Sequence, residues 1–212
     1  MTRDGRLLVG LAALAALASG CAAPFADLQG ARTAGRGNLE VTGSFSSVHF
    51  SSEGESGELQ REYTAQLAAG TSDKTDWRFR YTRIGPPGDG GEGGLNVFGV
   101  GPKFANARQT FAVALPVGFA FGEDIEVGDT FQFHPTMFFT IPSGRSFETN
   151  LSGKALIPVT GGSTGFAANL GFGISSDLDR WALRPEVGVL TYPEGEGYFT
   201  HISLGLSYNL GR

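Results

Sequence analysis

Between residues 111 and 122 the chain reads FAVALPVGFAFG. Every second residue, Phe111, Val113, Leu115, Val117, Phe119 and Phe121, is large and apolar. The residues between them, Ala112, Ala114, Pro116, Gly118, Ala120 and Gly122, are small. A period of two marks a β-strand, whose side chains alternate between faces. The pattern recurs in TFQFHPTMFFTI, where Phe131, Phe133, Met137, Phe139 and Ile141 oppose Thr130, Gln132, His134, Thr136 and Thr140, with Phe138 out of phase. In GFAANLGFGIS, Phe166, Leu170, Phe172 and Ile174 oppose Gly165, Ala167, Asn169, Gly171 and Gly173. Near the end, Tyr198, Ile202, Leu204, Leu206, Tyr208 and Leu210 oppose His201, Ser203, Gly205, Ser207 and Asn209.

Ten such segments fill the chain from residue 38: 38–50, 58–70, 75–84, 94–104, 109–121, 129–141, 146–159, 163–175, 180–192 and 197–210. Clusters of Gly, Pro, Asp, Ser and Asn end them, and no amphipathic helix interrupts them. The first segment loses its phase near Ser46, where a bulge is expected. The prediction is an all-β fold. It is a closed antiparallel up-and-down β-barrel over 38–212, of about ten strands, with eight or twelve as the neighbouring counts.

Alternation does not say which face points inward. A soluble, lipocalin-like binder holds its apolar face inside, whereas a membrane barrel turns that face to lipid. Four features favour the second. The small-residue face carries few charges, in a chain with only 17% charged residues, 33 Gly and 17 Phe. A water-facing surface would carry more Lys and Glu. The segments have the length of a tilted membrane-spanning strand. Trp77, Trp181, Tyr192, Tyr198 and Tyr208 sit near segment ends, as an interfacial girdle would. The connections also divide into two sets. SSEGESG, GPPGDGGEGG and GEDIEVG are long and acidic, and alternate with the short TSDK, ANAR, PSGR and SDLD, each carrying or abutting Lys74, Arg108, Arg145 or Arg180. The net charge of −5 comes without a basic stripe, which excludes nucleic acid as a partner.

The first twenty residues read as a signal segment. Arg3 and Arg6 precede an apolar run from Leu7 to Ala18, followed by Leu17-Ala18-Ser19-Gly20-Cys21. This stretch resembles the lipobox of bacterial lipoproteins, with Ala18 where Leu is commonest. The resemblance implies cleavage before Cys21, lipidation of its thiol and, with Ala22 next, passage to the outer membrane. Cys21 is the single cysteine, so no disulfide competes for it. Residues 21–37 lack sustained periodicity and are expected to form a lipid-anchored flexible tether. The pattern over 38–212 resembles the broad class of small bacterial outer-membrane β-barrels, departing from it by ending in Arg212 rather than an aromatic residue. That resemblance implies outer-membrane lipid, the barrel assembly machinery and the lipoprotein sorting machinery as partners. It also implies a structural or passive role, with a narrow pore or apolar-ligand passage as its active form.

The strand phase puts Glu40, Glu58, Glu62, Arg78, Arg80, Lys103, Glu148, Lys154, Arg184 and Glu186 on the lumen face. They form either a salt-bridged filling or a polar pathway, and the bare faces around Ala114, Gly118, Gly171 and Gly173 leave room for a cavity. Pro102, Pro116, Pro135 and Pro158 fall in four consecutive segments, with Pro185 in a fifth. Each removes a ladder donor, so a wall that opens sideways to lipid is one reading of the four. His201 and Ser203, in THISLG, are similar to the His-x-Ser pair of outer-membrane lipid A deacylases, but Leu204 stands where that motif has Asn. An enzyme is therefore the least favoured reading. The three histidines are too scattered for a metal site, and no cofactor signature is present.

Overall fold

The computed structural model describes residues 24–52, 54–87, 94–122, 125–193 and 195–211. The alternating runs become β1 (Leu39–Ser52), β2 (Glu55–Ser72), β3 (Thr75–Gly85), β4 (Leu95–Ala105), β5 (Phe111–Ala114) and β6 (Val117–Phe121). They continue as β7 (Gln132–Phe133), β8 (Thr136–Ser143), β9 (Phe147–Pro158), β10 (Gly165–Ile174), β11 (Trp181–Thr191) and β12 (Tyr198–Asn209). All pairings are antiparallel, β5 pairs directly with β8, and β12 pairs with β1 from Glu40↔Asn209 to Ser51↔Tyr198. The result is a closed ten-strand barrel, with β6 and β7 outside the ring order.

The two additional strands arise because segments 109–121 and 129–141 each break at a proline. β5 pairs with β4 through Lys103↔Ala114, and β6 takes over at Val100↔Val117, beyond Leu115 and Pro116. β8 and β7 divide the pairing with β9 in the same way around His134 and Pro135. Pro116 and Pro135 thus lie between strands rather than inside them.

The barrel has a turn end and a loop end. β1 begins and β12 finishes at the turn end, where residues 73–74, 106–110, 144–146 and 175–180 connect strands. The loop end holds the last residues of β1, β3, β6, β9 and β11 and the first of β2, β4, β7, β10 and β12, with one 3-10 turn, Val127–Thr130, after β6. The first connection is shorter than expected, because β1 and β2 run on to Ser52↔Glu55. The expected register shift lies at Val48/His49, two residues beyond Ser46, with the extra residue, Leu59, on β2. That shift turns Glu58 away from the lumen. It pairs with Arg61 at 3.0 Å and accepts from Ser47 at 2.9 Å, on the same face as His49.

The apolar face points outward. Phe45, Phe79, Met137, Phe139, Leu151, Phe166, Ile202, Leu204 and Leu206 are exposed, while Ala112, Ala114, Gly118 and Ala120 are buried on the inside. A lipocalin-like barrel needs the opposite arrangement. Eleven residues of β3 rise about 36 Å along the strand, or roughly 28 Å along the axis at the usual tilt. Trp77, Trp181 and Tyr208 gather at the turn end, where Arg180 donates to the Tyr208 hydroxyl at 3.2 Å. Tyr198 is exposed at the loop end. Tyr192 is not part of a girdle, because it packs edge-on against Phe199 and against the buried cluster of Phe25, Val48, Leu156, Ala167 and Leu190.

Residues 24–37 are not a free tether. They pass through the lumen from the loop end to the turn end. Phe25 packs with Val48, Leu156, Ala167 and Leu190 near the loop end. Ala31 packs with Ala112, Ala114 and Phe138 further down. Ala34 reaches Asp76, at the start of β3. A tight reversal then feeds β1: Asn38 donates to the Gly35 carbonyl at 3.1 Å, and Gly35 and Gly37 both take positive φ. Gly is the residue that adopts this backbone without strain. The signal segment 1–20 and Cys21 lie outside the described residues.

Candidate functional site

The lumen is a receptor for the amino-terminal segment. A chain inside a barrel has no ladder to join, so its amides and carbonyls need side-chain partners. The lumen face supplies them in two tiers.

Near the loop end, Asp27 is buried among Lys154 (3.0 Å), Ser152 (2.6 Å) and Asn169 (2.7 Å). The Lys154 ammonium also donates to the carbonyls of Pro24 and Phe25. Arg80 donates to the carbonyls of Ala26 and Asp27. Glu186 accepts from the Asp27 and Leu28 amides, both at 2.7 Å, one on each carboxylate oxygen. Leu28 has φ +56°, an uncommon conformation for a residue with a β-carbon, and consecutive amides curled this way form a cradle for an anion. Glu62 accepts from the Phe25 amide at 3.4 Å and from Gln60 at 2.8 Å.

Near the turn end, Lys103 is fully buried. Its ammonium donates to the carbonyls of Gly30 and Arg32, and lies 5.0 Å from the centre of the Phe138 ring. Phe138, the residue out of phase in its segment, thus fills the space beside Ala112 and Ala114. Arg78 grips Asp76 through two nitrogens, both at 3.0 Å, and Glu40 at 3.1 Å, while Asp76 accepts from the Ala34 amide. Arg184 holds Glu148 at 3.1 Å, and Glu148 faces Arg32 of the segment at 3.8 Å.

Of the lumen residues expected from the sequence, Glu62, Arg78, Arg80, Lys103, Glu148, Lys154 and Glu186 touch residues 24–34 directly. Glu40 and Arg184 brace Arg78 and Glu148. Sequence reasoning missed Phe25, Asp27, Leu28, Asp76, Ser152 and Asn169. The available signal was faint: one carboxylate between two apolar residues in PFADL.

The bare lumen faces have specific occupants. A β-carbon on Gly30 would overlap the side chains of Asn150 and Thr140. One on Gly173 would press on Glu148, and one on Gly188 on Asn169 and His201. One cavity beside the segment measures about 60 Å³ and is lined in part by Ala114, Gly118, Pro116, His134 and Lys154. Gly171 and Gly173 do not line it, because Glu186 and Glu148 fill their neighbourhood.

His201 and Ser203 join the same network. His201 Nδ1 lies 2.8 Å from Ser203 Oγ, and its Nε2 lies 3.1 Å from Asn169 Oδ1. Asn169 spends its amide hydrogens on Asp27 and the Phe25 carbonyl, so its oxygen faces the imidazole and accepts from Nε2. Ser203 Oγ is also 2.8 Å from Ser46 Oγ. The chain of contacts ends on the segment, and its role here is to hold Asn169 toward Asp27.

The four prolines form a seam across neighbouring strands. Leu115 donates to the Pro102 carbonyl (3.0 Å), His134 to that of Pro116 (2.9 Å) and Ala155 to that of Pro135 (3.1 Å). Pro158 pairs with Gln132. The carbonyls of Pro102, Pro116 and Pro135 are thus used although each proline lacks a donor, and the ladder runs on across the seam.

No family model matches the chain, and no curated protein matches it. Among solved structures it is similar to the translocator domain of the autotransporter NalP from Neisseria meningitidis, with 12% identity, TM-score 0.44, and 81% of this chain and 88% of that one covered. It is also similar to the KdgM porin in complex with disordered oligogalacturonate, with 10% identity, TM-score 0.43, and coverage of 80% and 98%. A third is Neisserial surface protein A, with 9% identity, TM-score 0.37, and coverage of 80% and 96%.

Proposed function

We propose that the chain is a bacterial outer-membrane barrel, closed at rest by its own residues 24–37, with a structural or passive role. The observation that carries this reading is the inside-out distribution of side chains. Apolar residues cover the outside, and ion pairs fill the inside. In water that surface would be an aggregation liability, and in a bilayer it is the required one. Residence there calls on the barrel assembly machinery and the lipoprotein sorting machinery. The test is reconstitution in lipid vesicles with bilayer conductance. The intact chain should insert and stay electrically silent, because residues 24–34 run through the lumen and are held by its side chains. Open channels from the intact chain would sink the closed-barrel reading, and failure to insert would sink the membrane reading.

The lipid anchor belongs to the same proposal. Cys21 is three residues before Pro24, so its Cα lies within about 11 Å of that residue. Pro24 is at the loop end, bound by Lys154. With the loops outward, the acyl chains at Cys21 would enter the outer leaflet beside the barrel mouth. Incorporation of labelled palmitate that is lost in Cys21→Ser, together with labelling of an epitope inserted between Ala22 and Ala23 on intact cells, is the expected result. Palmitate incorporation with the epitope reachable only after permeabilisation would overturn the outward placement. A lateral passage through the Pro102–Pro116–Pro135–Pro158 seam is the second reading, favoured by the cavity that touches Pro116 behind it. It requires Pro116→Ala with Pro135→Ala to change uptake of an apolar probe.

A further inference from the structure

We propose that the lumen is a binding channel for extended polypeptide, and that residues 24–37 are its resident, exchangeable ligand. The inference rests on the geometry of the lumen and not on the membrane location. The ring of β1 to β5 and β8 to β12 closes through its own ladder, and the main-chain groups of residues 24–34 bond to side chains of the wall. The segment is thus a guest in a complete host. The host grips mainly main-chain atoms. Lys154, Arg80 and Lys103 bind carbonyls, while Glu186, Thr140 and Asp76 bind amides.

Main-chain recognition admits many sequences, and four positions restrict them. An apolar pocket bounded by Val48, Leu156 and Leu190 takes an aromatic side chain at 25. Lys154, Ser152 and Asn169 take a carboxylate at 27. Leu28 contributes a buried apolar side chain. The Asn150 and Thr140 side chains admit only glycine at 30. The ligand class is an extended peptide of the pattern aromatic-x-Asp-Leu-x-Gly, entering from the loop end amino-terminus last. A second polypeptide carrying that pattern would compete for the channel.

The exchange point is accessible, since Arg36 and Gly37 are exposed at the turn end. A specific protease site inserted between them in the full chain allows the segment to be cut after folding. Cut protein in vesicles would be incubated with a fluorescent synthetic peptide of residues 24–36. The folded ring would be followed by its distinct mobility on unheated gels. The expected result is saturable uptake of the peptide by folded protein, with the Asp27→Ala peptide weaker by at least about tenfold and a scrambled peptide inactive. Equal uptake of native and scrambled peptides would overturn the proposal, as would no uptake by folded, cut protein. Should the insertion prevent folding, the uncut Asp27→Ala chain serves instead, because its resident segment is weakened. It should recruit the native peptide over the Asp27→Ala peptide, and no preference would count against the channel. A chain that folds but does not insert in vesicles fails the membrane reading and leaves the peptide assay to be read in detergent.

Discussion

Asp27 and Gly30 are the residues on which the closed lumen turns. The Asp27 carboxylate is the sole acidic partner within ion-pair distance of Lys154 among the described residues. Asp27→Ala leaves that buried ammonium with carbonyls alone, and breaking a buried pair from one side costs about 3–5 kcal/mol. Urea unfolding in lipid should show that loss. Lys154→Met combined with Asp27→Leu should recover part of it, because the unpaired charge is then gone. At Gly30 the defect is steric. Gly30→Ala forces the segment away from Asn150 and Thr140, at about 1–3 kcal/mol for overpacking. The expected signs are lower urea resistance and faster hydrogen exchange at the Ala31 amide, which Thr140 otherwise accepts at 2.7 Å. The lumen charges were legible one by one, since period two puts every one of the nine that braces or grips the segment on the correct face. Their common partner was not. Residues 24–37 make hydrogen bonds to side chains scattered from position 38 to 209, and such pairing leaves no period in either partner.

The strands themselves were readable to within a few residues, because alternation is enforced by a barrel that is polar inside and apolar outside. What escaped was the effect of the prolines. Pro116 and Pro135 do more than delete donors, for each bends its segment into two strands. The bend is accommodated by Gly101, where a β-carbon would collide with Pro116 and the Leu115 carbonyl. Gly101→Ala should therefore destabilise the wall by about 1–3 kcal/mol, and by more than Pro116→Ala does. The seam is held by proline carbonyls, which an alanine would also present. Thermal loss of the folded band on gels ranks the two variants. A larger effect from Pro116→Ala would mean that the ring of the proline, and not the room at Gly101, shapes the seam. Glu58 shows the same limit from the other side. A one-residue shift at Leu59 moves it outside, and sequence alternation alone carries no mark of a shift set by the partner strand.

Across the whole molecule, exchange of inside for outside separates this barrel from a water-soluble one, and substitution can measure it. Leu204 lies midway along β12, facing out at 52% exposure and paired with Phe45 and Pro185. Leu210 is also exposed, at 59%, just beyond the strand at the turn end. On a barrel in water, either Leu→Arg change would fall within about 0.5 kcal/mol of neutral, as exposed substitutions do. In a bilayer the cost depends on depth, about 2–4 kcal/mol for Arg at the midplane and about 0–1 near the interface. Leu204→Arg should therefore weaken folding into vesicles far more than Leu210→Arg does, although the two side chains are similarly exposed. In detergent, which has no fixed midplane, the gap between them should narrow. Equal, small effects for both variants in lipid would mean that the apolar surface meets something other than a membrane core. A depth-dependent gap would fix the axis of the barrel along the bilayer normal, with Trp77, Trp181 and Tyr208 at one interface.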